Sequence, residues 1–172
     1  MASWTGAEGD WREPDAAALE AAEARARRPI GRPAGDLESV REGLQEVMWQ
    51  EAGILRNAQG LARAQARLAE LGEALGRIGV AGDDLRYNLT WHDWLNLDSL
   101  LTVSRAICAA ALARAESRGA HFREDFPQTG ELAASAYSRV RLAPDAPQER
   151  YDVTWKRVEF TRVRPGQSLL AS

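Results

Sequence analysis

Residues 61–78 read LARAQARLAELGEALGRI, and their reading decides the fold. Leu61, Ala64, Leu68, Leu71, Leu75 and Ile78 recur by alternating steps of three and four residues. That is the a/d spacing of one apolar seam along an α-helix. A helix with one such seam is stable only when other helices cover it. Gly79 and Gly82 are the expected stop signals.

Covering helices are legible on both sides. Upstream, Asp36 is a good N-cap, and Leu37, Val40, Leu44, Val47 and Met48 fall on one helical face. Gly53 is expected to end that helix, and GILRNAQG (53–60) connects it to the next. Downstream, residues 89–119 form a long helical run. Thr90 and Asp93 have capping-box spacing, and Gly119 is the expected C′ residue. The expected buried stripe is Leu97, Leu100, Leu101, Ser104, Ile107, Cys108, Ala111, Leu112 and Ala115. Three long helices with short connections predict an all-α core, an up-down-up three-helix bundle.

The flanks are of a different kind. Residues 1–14 are aperiodic and read as a lead-in. Pro14 or Asp15 opens an Ala-rich helix that Pro29 closes, and Leu19 is its only large apolar side chain. Such a helix buries little and needs a surface to lie on. IGRPAG (30–35) is a linker. After Pro127, QTGELAASAYSRVRL is expected to hold one short helix, and APDAPQE (143–149) a loop. In YDVTWKRVEFTRVRPG, Tyr151, Val153 and Trp155 alternate in one phase and Val158 and Phe160 in the other. That slip predicts a bulge near Lys156 or two short strands. Two strands alone are marginal in water, so this tail is expected to lie on another surface. The domain reading is therefore 1–35 lead-in and Ala-rich helix, 36–127 bundle, and 128–172 β-like tail.

Composition narrows the function. With 45% hydrophobic and 27% charged residues, the 172-residue chain reads as one soluble globular unit. A net charge of −3 gives no case for a nucleic-acid binder. Residues 1–15 lack the basic start and apolar run of a signal peptide, and no run of 18 apolar residues suggests a membrane span. Cys108 is the lone cysteine, so no internal disulfide forms and a reducing compartment fits. In mid-stripe it reads as a small core residue rather than a nucleophile. No Gly-x-Gly-x-x-Gly and no Walker-type loop is present, so the chain has no known phosphate cradle. His92–Asp93 and His121 with Glu124 and Asp125 lack metal-ligand spacing. Trp49, Trp91 and Trp94 read as packing residues rather than a stacking platform.

One charged stretch remains, ESRGAHFREDF (116–126). Arg114 and Arg118 are four apart, and cations near a helix C-terminus complement its dipole. A capped helix end with a solvated salt-bridge turn would account for part of it. Yet Glu116, Arg118, His121, Arg123, Glu124 and Asp125 are interleaved with Phe122 and Phe126, which reads as a docking surface of aromatic anchors and Arg forks.

At these residues the sequence resembles a known family. ESRGAHFREDFP, closing an Ala-rich helix, is similar to the C-terminal helical domain of the succinate dehydrogenase/fumarate reductase flavoprotein family. The resemblance extends through LQEVMWQEAGILRNAQGLARAQARLAEL (44–71), with its GI-x-R connection, and through NLTWHDWLNLDSLLTVSRAICAAALAR (88–114). It covers residues 36–127. L-aspartate oxidase, of the same superfamily, has a similar ending, and PQTGELAASAY departs from the usual pattern after the proline. The resemblance implies a spectrin-repeat-like bundle that packs on a flavin domain and lies near partner subunits. It implies FAD in the parent enzyme and none bound by this chain, whose sequence lacks the family's flavin and dicarboxylate motifs. No catalytic or metal-binding residue carries over. The docking loop does, onto Glu116, Ser117, Arg118, Gly119, Ala120 and His121, and the full set of docking candidates is Arg114, Glu116, Ser117, Arg118, Gly119, His121, Phe122, Arg123 and Asp125.

The functional expectation is a C-terminal domain of an FAD-dependent oxidoreductase of succinate/fumarate type, inactive alone. Its expected partners are the flavin-binding domain or subunit, together with an iron–sulfur subunit. No nucleic acid and no direct membrane insertion are expected. The expected location is cytoplasmic, peripheral to the inner membrane through partner subunits. The rival readings are a stand-alone interaction module, self-association in isolation, and the helical domain of an L-aspartate oxidase.

Overall fold

Asp15 accepts a hydrogen bond from the Ala17 N–H at 3.0 Å and opens α1 (Ala16–Arg27). These elements come from a computed structural model of the chain, which describes residues 13–143 and 150–167. Most of the expected lead-in and of the 143–149 loop lies outside the described residues. No residue of α1 is buried. Polar ties near its C-terminal end attach it instead. Arg25 pairs with Asp98 at 2.7 Å, and the Trp91 Nε1–H donates to the Ala26 carbonyl at 2.7 Å.

The bundle follows. Asp36 caps α2 (Leu37–Gln50) through the Ser39 N–H, and Asn57 caps α3 (Ala58–Arg77) through the Gly60 N–H. Asn88 caps α4 (Leu89–Ala113) through the Trp91 N–H. The expected capping box is thus corrected. Thr90 lies inside the helix, and Asp93 pairs with Arg41 of α2. The core is Leu37, Val40, Leu44 and Val47 of α2, Leu61, Ala64, Leu68, Leu71 and Leu75 of α3, and Trp94, Leu97, Leu101, Cys108 and Ala111 of α4. At roughly 1.5–3 kcal/mol for each large apolar side chain buried, this seam is the main source of stability.

Several expectations on α4 change. Leu100 and Ile107 are exposed, because they lie on a flank that neither neighbouring helix covers. Ala115 is exposed because the helix has already ended at Ala113, with Arg114 extended. Gly119 is therefore not the C′ residue. Its positive φ of 57° serves a tight turn in which Arg118 and His121 exchange both backbone hydrogen bonds, at 2.8 and 3.0 Å. At 25 residues, α4 is also long and apolar enough to cross a membrane by length and composition alone, although it holds no run of 18 apolar residues. Its buried face is the bundle core.

Gly79, the expected stop signal, has a steric role. A Cβ there would lie 2.2 Å from the Arg32 carbonyl oxygen. The bare glycine lets the 30–35 linker cross the end of α3, where the Gly79 N–H donates to the Pro33 carbonyl at 2.8 Å.

Two small sheets complete the fold. β1 (Leu55–Arg56), in the α2–α3 connection, pairs in parallel with β2 (Phe122–Arg123), aligning Leu55 with Phe122. Past Pro127 the expected short helix is only a 3₁₀ turn, Leu132–Ala134. β3 (Ala136–Leu142) then pairs antiparallel with β4 (Tyr151–Arg157). The expected bulge is absent, since Lys156 pairs regularly with Tyr137. Val158 and Phe160 fall beyond the strand, which accounts for the change of phase. Both strands pack on α4, so the tail's supporting surface is the chain's own.

Candidate functional site

The charged stretch folds into a knot at one end of the bundle. Arg123 is 1% exposed. Its Nη1 donates to the carbonyls of Ala111, Leu112 and Arg114 at 2.8, 3.2 and 3.1 Å. A helix leaves its last carbonyls without intrahelical partners, and a guanidinium satisfies them while opposing the negative end of the dipole. This explains why α4 stops before Arg114. The other prong of Arg123 makes a two-point pair with Asp125. Asp125 also accepts from the Ala58 N–H at 2.9 Å, at the N-terminus of α3. Arginine's rigid fork suits this double duty.

Glu116 organises the second part. It accepts from Arg114 Nη1, from Arg118 Nε at 2.9 Å and Nη2 at 3.0 Å, and from the Gly130 N–H at 3.1 Å. The hydrogen bond from Arg118 is the largest of the effects holding its carboxyl down to about 2. Arg118 also donates to Ser135 Oγ at 2.7 Å, and Arg114 donates to the Ala136 carbonyl at 2.8 Å while stacking over Trp155. Arg114 and Arg118 thus meet at one carboxylate rather than on a helix face. Ser117, 5% exposed, accepts from the Arg123 N–H at 2.9 Å and donates to the Phe126 carbonyl at 2.8 Å.

His121 joins the knot to the α2–α3 connection. Arg56 Nη1 donates to its Nδ1 at 2.9 Å, so the ring carries its proton on Nε2 and is neutral. Burial first, and the Arg56 charge second, push its pKa down. Arg56 also holds the carbonyls of Ala52 and Gly53. Sequence reasoning passes over Arg56 as a site residue, although the GI-x-R connection that contains it is the available signal. Asn57 and Glu124 add a further tie at 2.9 Å.

The arrangement sorts the docking candidates. Ser117 and Arg123 are buried and present no side chain to a partner, which corrects their place among the contact residues. Arg114, Glu116, Arg118 and Asp125 are committed to bonds within the chain. The large apolar side chains left exposed at this end are Phe122 at 37% exposure, its strand neighbour Leu55 at 61%, Ile54 and Phe126, with Glu124 and Asp125 also on the surface. Gly119 and Ala120 form the exposed turn tip.

For chemistry the knot offers little. No group of three metal-ligating side chains comes together among the described residues. Cys108 is fully buried, and burial pushes its thiol up to about 11. A helix N-terminus is a ready anion site, and among the described residues each of the four α-helices already has a side-chain cap there, from Asp15, Asp36, Asn57 and Asn88.

The profile of the family described as "Fumarate reductase flavoprotein C-term" matches residues 41–169, and the chain belongs to that family. The fumarate reductase flavoprotein subunit of Mycobacterium tuberculosis is 30% identical over 131 residues, covering 76% of this chain and 22% of that protein. L-aspartate oxidase of Streptomyces coelicolor is 39% identical over 109 residues, covering 59% and 17%. Among solved structures, Mycobacterium smegmatis Sdh1 in complex with UQ1 superposes with a TM-score of 0.79 at 26% identity, covering 92% of this chain and 27% of that one. The chain spans well under two thirds of the length of each of these relatives.

Proposed function

We propose that this chain supplies the C-terminal helical domain of an FAD-dependent flavoprotein of succinate dehydrogenase/fumarate reductase type, and that it docks on the flavin-binding part through the knot end of the bundle. The observation that carries this reading is the pairing of Leu55 with Phe122. The loop's charges are satisfied inside the chain, so a rigid support presents Ile54, Leu55, Phe122 and Phe126 outward. A preorganised apolar surface loses little freedom on binding. The flavin-binding part holds the FAD and carries out the redox chemistry, while this chain supports it and is inactive and colourless alone. An iron–sulfur subunit is a further partner in the same assembly, and the chain is cytoplasmic, peripheral to the membrane through its partners. Relatives of both fumarate reductase and L-aspartate oxidase type match, and the proposal leaves the dicarboxylate substrate unassigned.

The test is association in trans. A flavin-binding segment of a family flavoprotein, truncated before its helical domain, is mixed with this chain and followed by analytical ultracentrifugation. Association is expected, and Leu55→Ser with Phe122→Ala should weaken it at least tenfold while the melting temperature of this chain stays within a few degrees. No association, or association untouched by the double substitution, would overturn the docking assignment. Stoichiometric flavin on the isolated chain would overturn the division of labour.

A further inference from the structure

The β3–β4 hairpin has an inner and an outer face. Ala136, Ser138 and Val140 are half-buried, as are Tyr151 and Val153, and these form the face that lies on α4. Strand alternation sends the other phase outward. The register places Tyr137 beside Lys156, Arg139 beside Thr154, and Arg141 beside Asp152 on that outer face. Tyr137, Arg139, Arg141, Thr154 and Lys156 are all exposed.

The basic groups on this face differ from those of the bundle. Arg41, Arg63, Arg67, Arg118 and Arg123 each hold a carboxylate of the chain. Arg139, Arg141 and Lys156 make no ion pair among the described residues. Asp152, the one acidic group on the face, is held by Arg150 at 3.1 Å. The charge is also segregated. Residues 136–167 carry seven Lys and Arg against four Asp and Glu, in a chain whose net charge is −3. Like charges side by side on a sheet cost stability, and among the described residues of this face only Asp152, beside Arg141, carries the opposite charge.

We propose that this outer face is a docking surface for an acidic protein partner, one that presents carboxylates along a helix. Arg139 and Arg141 are two residues apart on one strand, so their side chains stand roughly 7 Å apart. Carboxylates four residues apart on a helix are about 6 Å apart, which matches two Arg forks. Tyr137 adds the aromatic anchor common at protein interfaces. A lipid surface fits less well, because the face carries no apolar anchor besides Tyr137. The residues of this face, Tyr137, Arg139, Arg141, Thr154 and Lys156, are not those of the knot-end surface formed by Ile54, Leu55, Phe122 and Phe126.

The probe is a fluorescent Ala-based helical peptide with Glu at every fourth position, titrated with the full chain at roughly 0.1 M salt. Parallel titrations use phosphatidylglycerol/phosphatidylcholine vesicles and a 20-base-pair DNA duplex. Binding of the peptide is expected, and Arg139→Glu with Arg141→Glu should weaken it at least tenfold. Arg67→Glu, a charge reversal on the bundle, should change it less than twofold. Should the double reversal perturb folding, seen as a lowered melting temperature, Arg139→Ala with Arg141→Ala replaces it, with a loss of at least threefold. The proposal is overturned if the peptide does not bind, if the hairpin substitutions leave its binding unchanged, or if vesicles or duplex bind more tightly than the peptide.

Discussion

Arg123 and Asp125 face each other in a two-point pair, with Nε to Oδ1 and Nη2 to Oδ2 both at 2.7 Å, and between them they close two helices. Arg123 caps the C-terminus of α4 and Asp125 the N-terminus of α3. Each charge sits at the helix end whose dipole favours it. The ESRGAHFRED segment is in this respect a clasp on the bundle.

Removing the buried member should therefore be costly. Arg123→Ala is expected to lower the unfolding free energy by about 3 kcal/mol, since it leaves buried carbonyls without donors and a carboxylate without its partner. Arg123→Lys should recover only part of this, because an ammonium cannot hold both Asp125 and the helix end in the same geometry. Urea titrations monitored by helical circular dichroism measure both, and a loss under about 1 kcal/mol for the alanine variant would contradict the clasp.

Acid should loosen the same end of the bundle. The folded-state pKa of Glu116 is lowered from 4.5 to about 2, chiefly by the hydrogen bond from Arg118. A group lowered on folding contributes stability above its unfolded pKa and loses it as pH falls through the folded value. The urea midpoint is thus expected to fall between about pH 4.5 and 2. Asp125, lowered first by its hydrogen bond from Arg123, acts in the same direction. Glu116→Gln should flatten the dependence in that window, and an unchanged pH profile would count against the network.

Gly79→Ala tests the close crossing of the linker. The new methyl group would meet the Arg32 carbonyl oxygen at 2.2 Å and its carbon at 2.5 Å, both backbone atoms. A shift of the linker is unavoidable, at a cost of about 1–3 kcal/mol, as for other overpacked sites. Gly76→Ala, where nothing lies within 4 Å, should instead be neutral or slightly stabilising, because alanine is the better helix former. Comparing the two melting temperatures separates a steric role from a helix-stop role.

Cys108 should be inert in the folded chain. With its thiol at about 11, roughly a thousandth is thiolate at pH 8, and the sulfur is fully buried. Labelling by a disulfide reagent is expected to run at least a hundredfold slower than for a free thiol, and to accelerate only as denaturant unfolds the bundle. Rapid labelling under native conditions would show that α4 is not the packed core helix described above.

The three-helix architecture was legible because the a/d seam of α3 and the matching faces of α2 and α4 are local patterns that only a bundle satisfies. Leu61, Leu68 and Leu75 are buried as their spacing requires, and Asp36 caps the helix it precedes. The family was legible for a related reason, since ESRGAH and GI-x-R are contiguous motifs. The two are in fact parts of one site, joined by the Arg56–His121 hydrogen bond across 65 residues of chain.

What tertiary structure alone decided is the partnership of charges and the coverage of faces. Sequence spacing puts Arg114 and Arg118 on one helix face, but α4 stops at Ala113 because Arg123, ten residues further on, takes its last carbonyls. Nor could periodicity tell that Leu100 and Ile107 would stay exposed while Trp94 became fully buried, since which flank of a helix is covered depends on where its neighbours lie. Helical period and capping are properties of a few adjacent residues, so the chain itself determined them. Ion pairing, close approach at Gly79 and the outward face of the hairpin depend on residues distant in sequence, and only the folded arrangement of the chain brings them together.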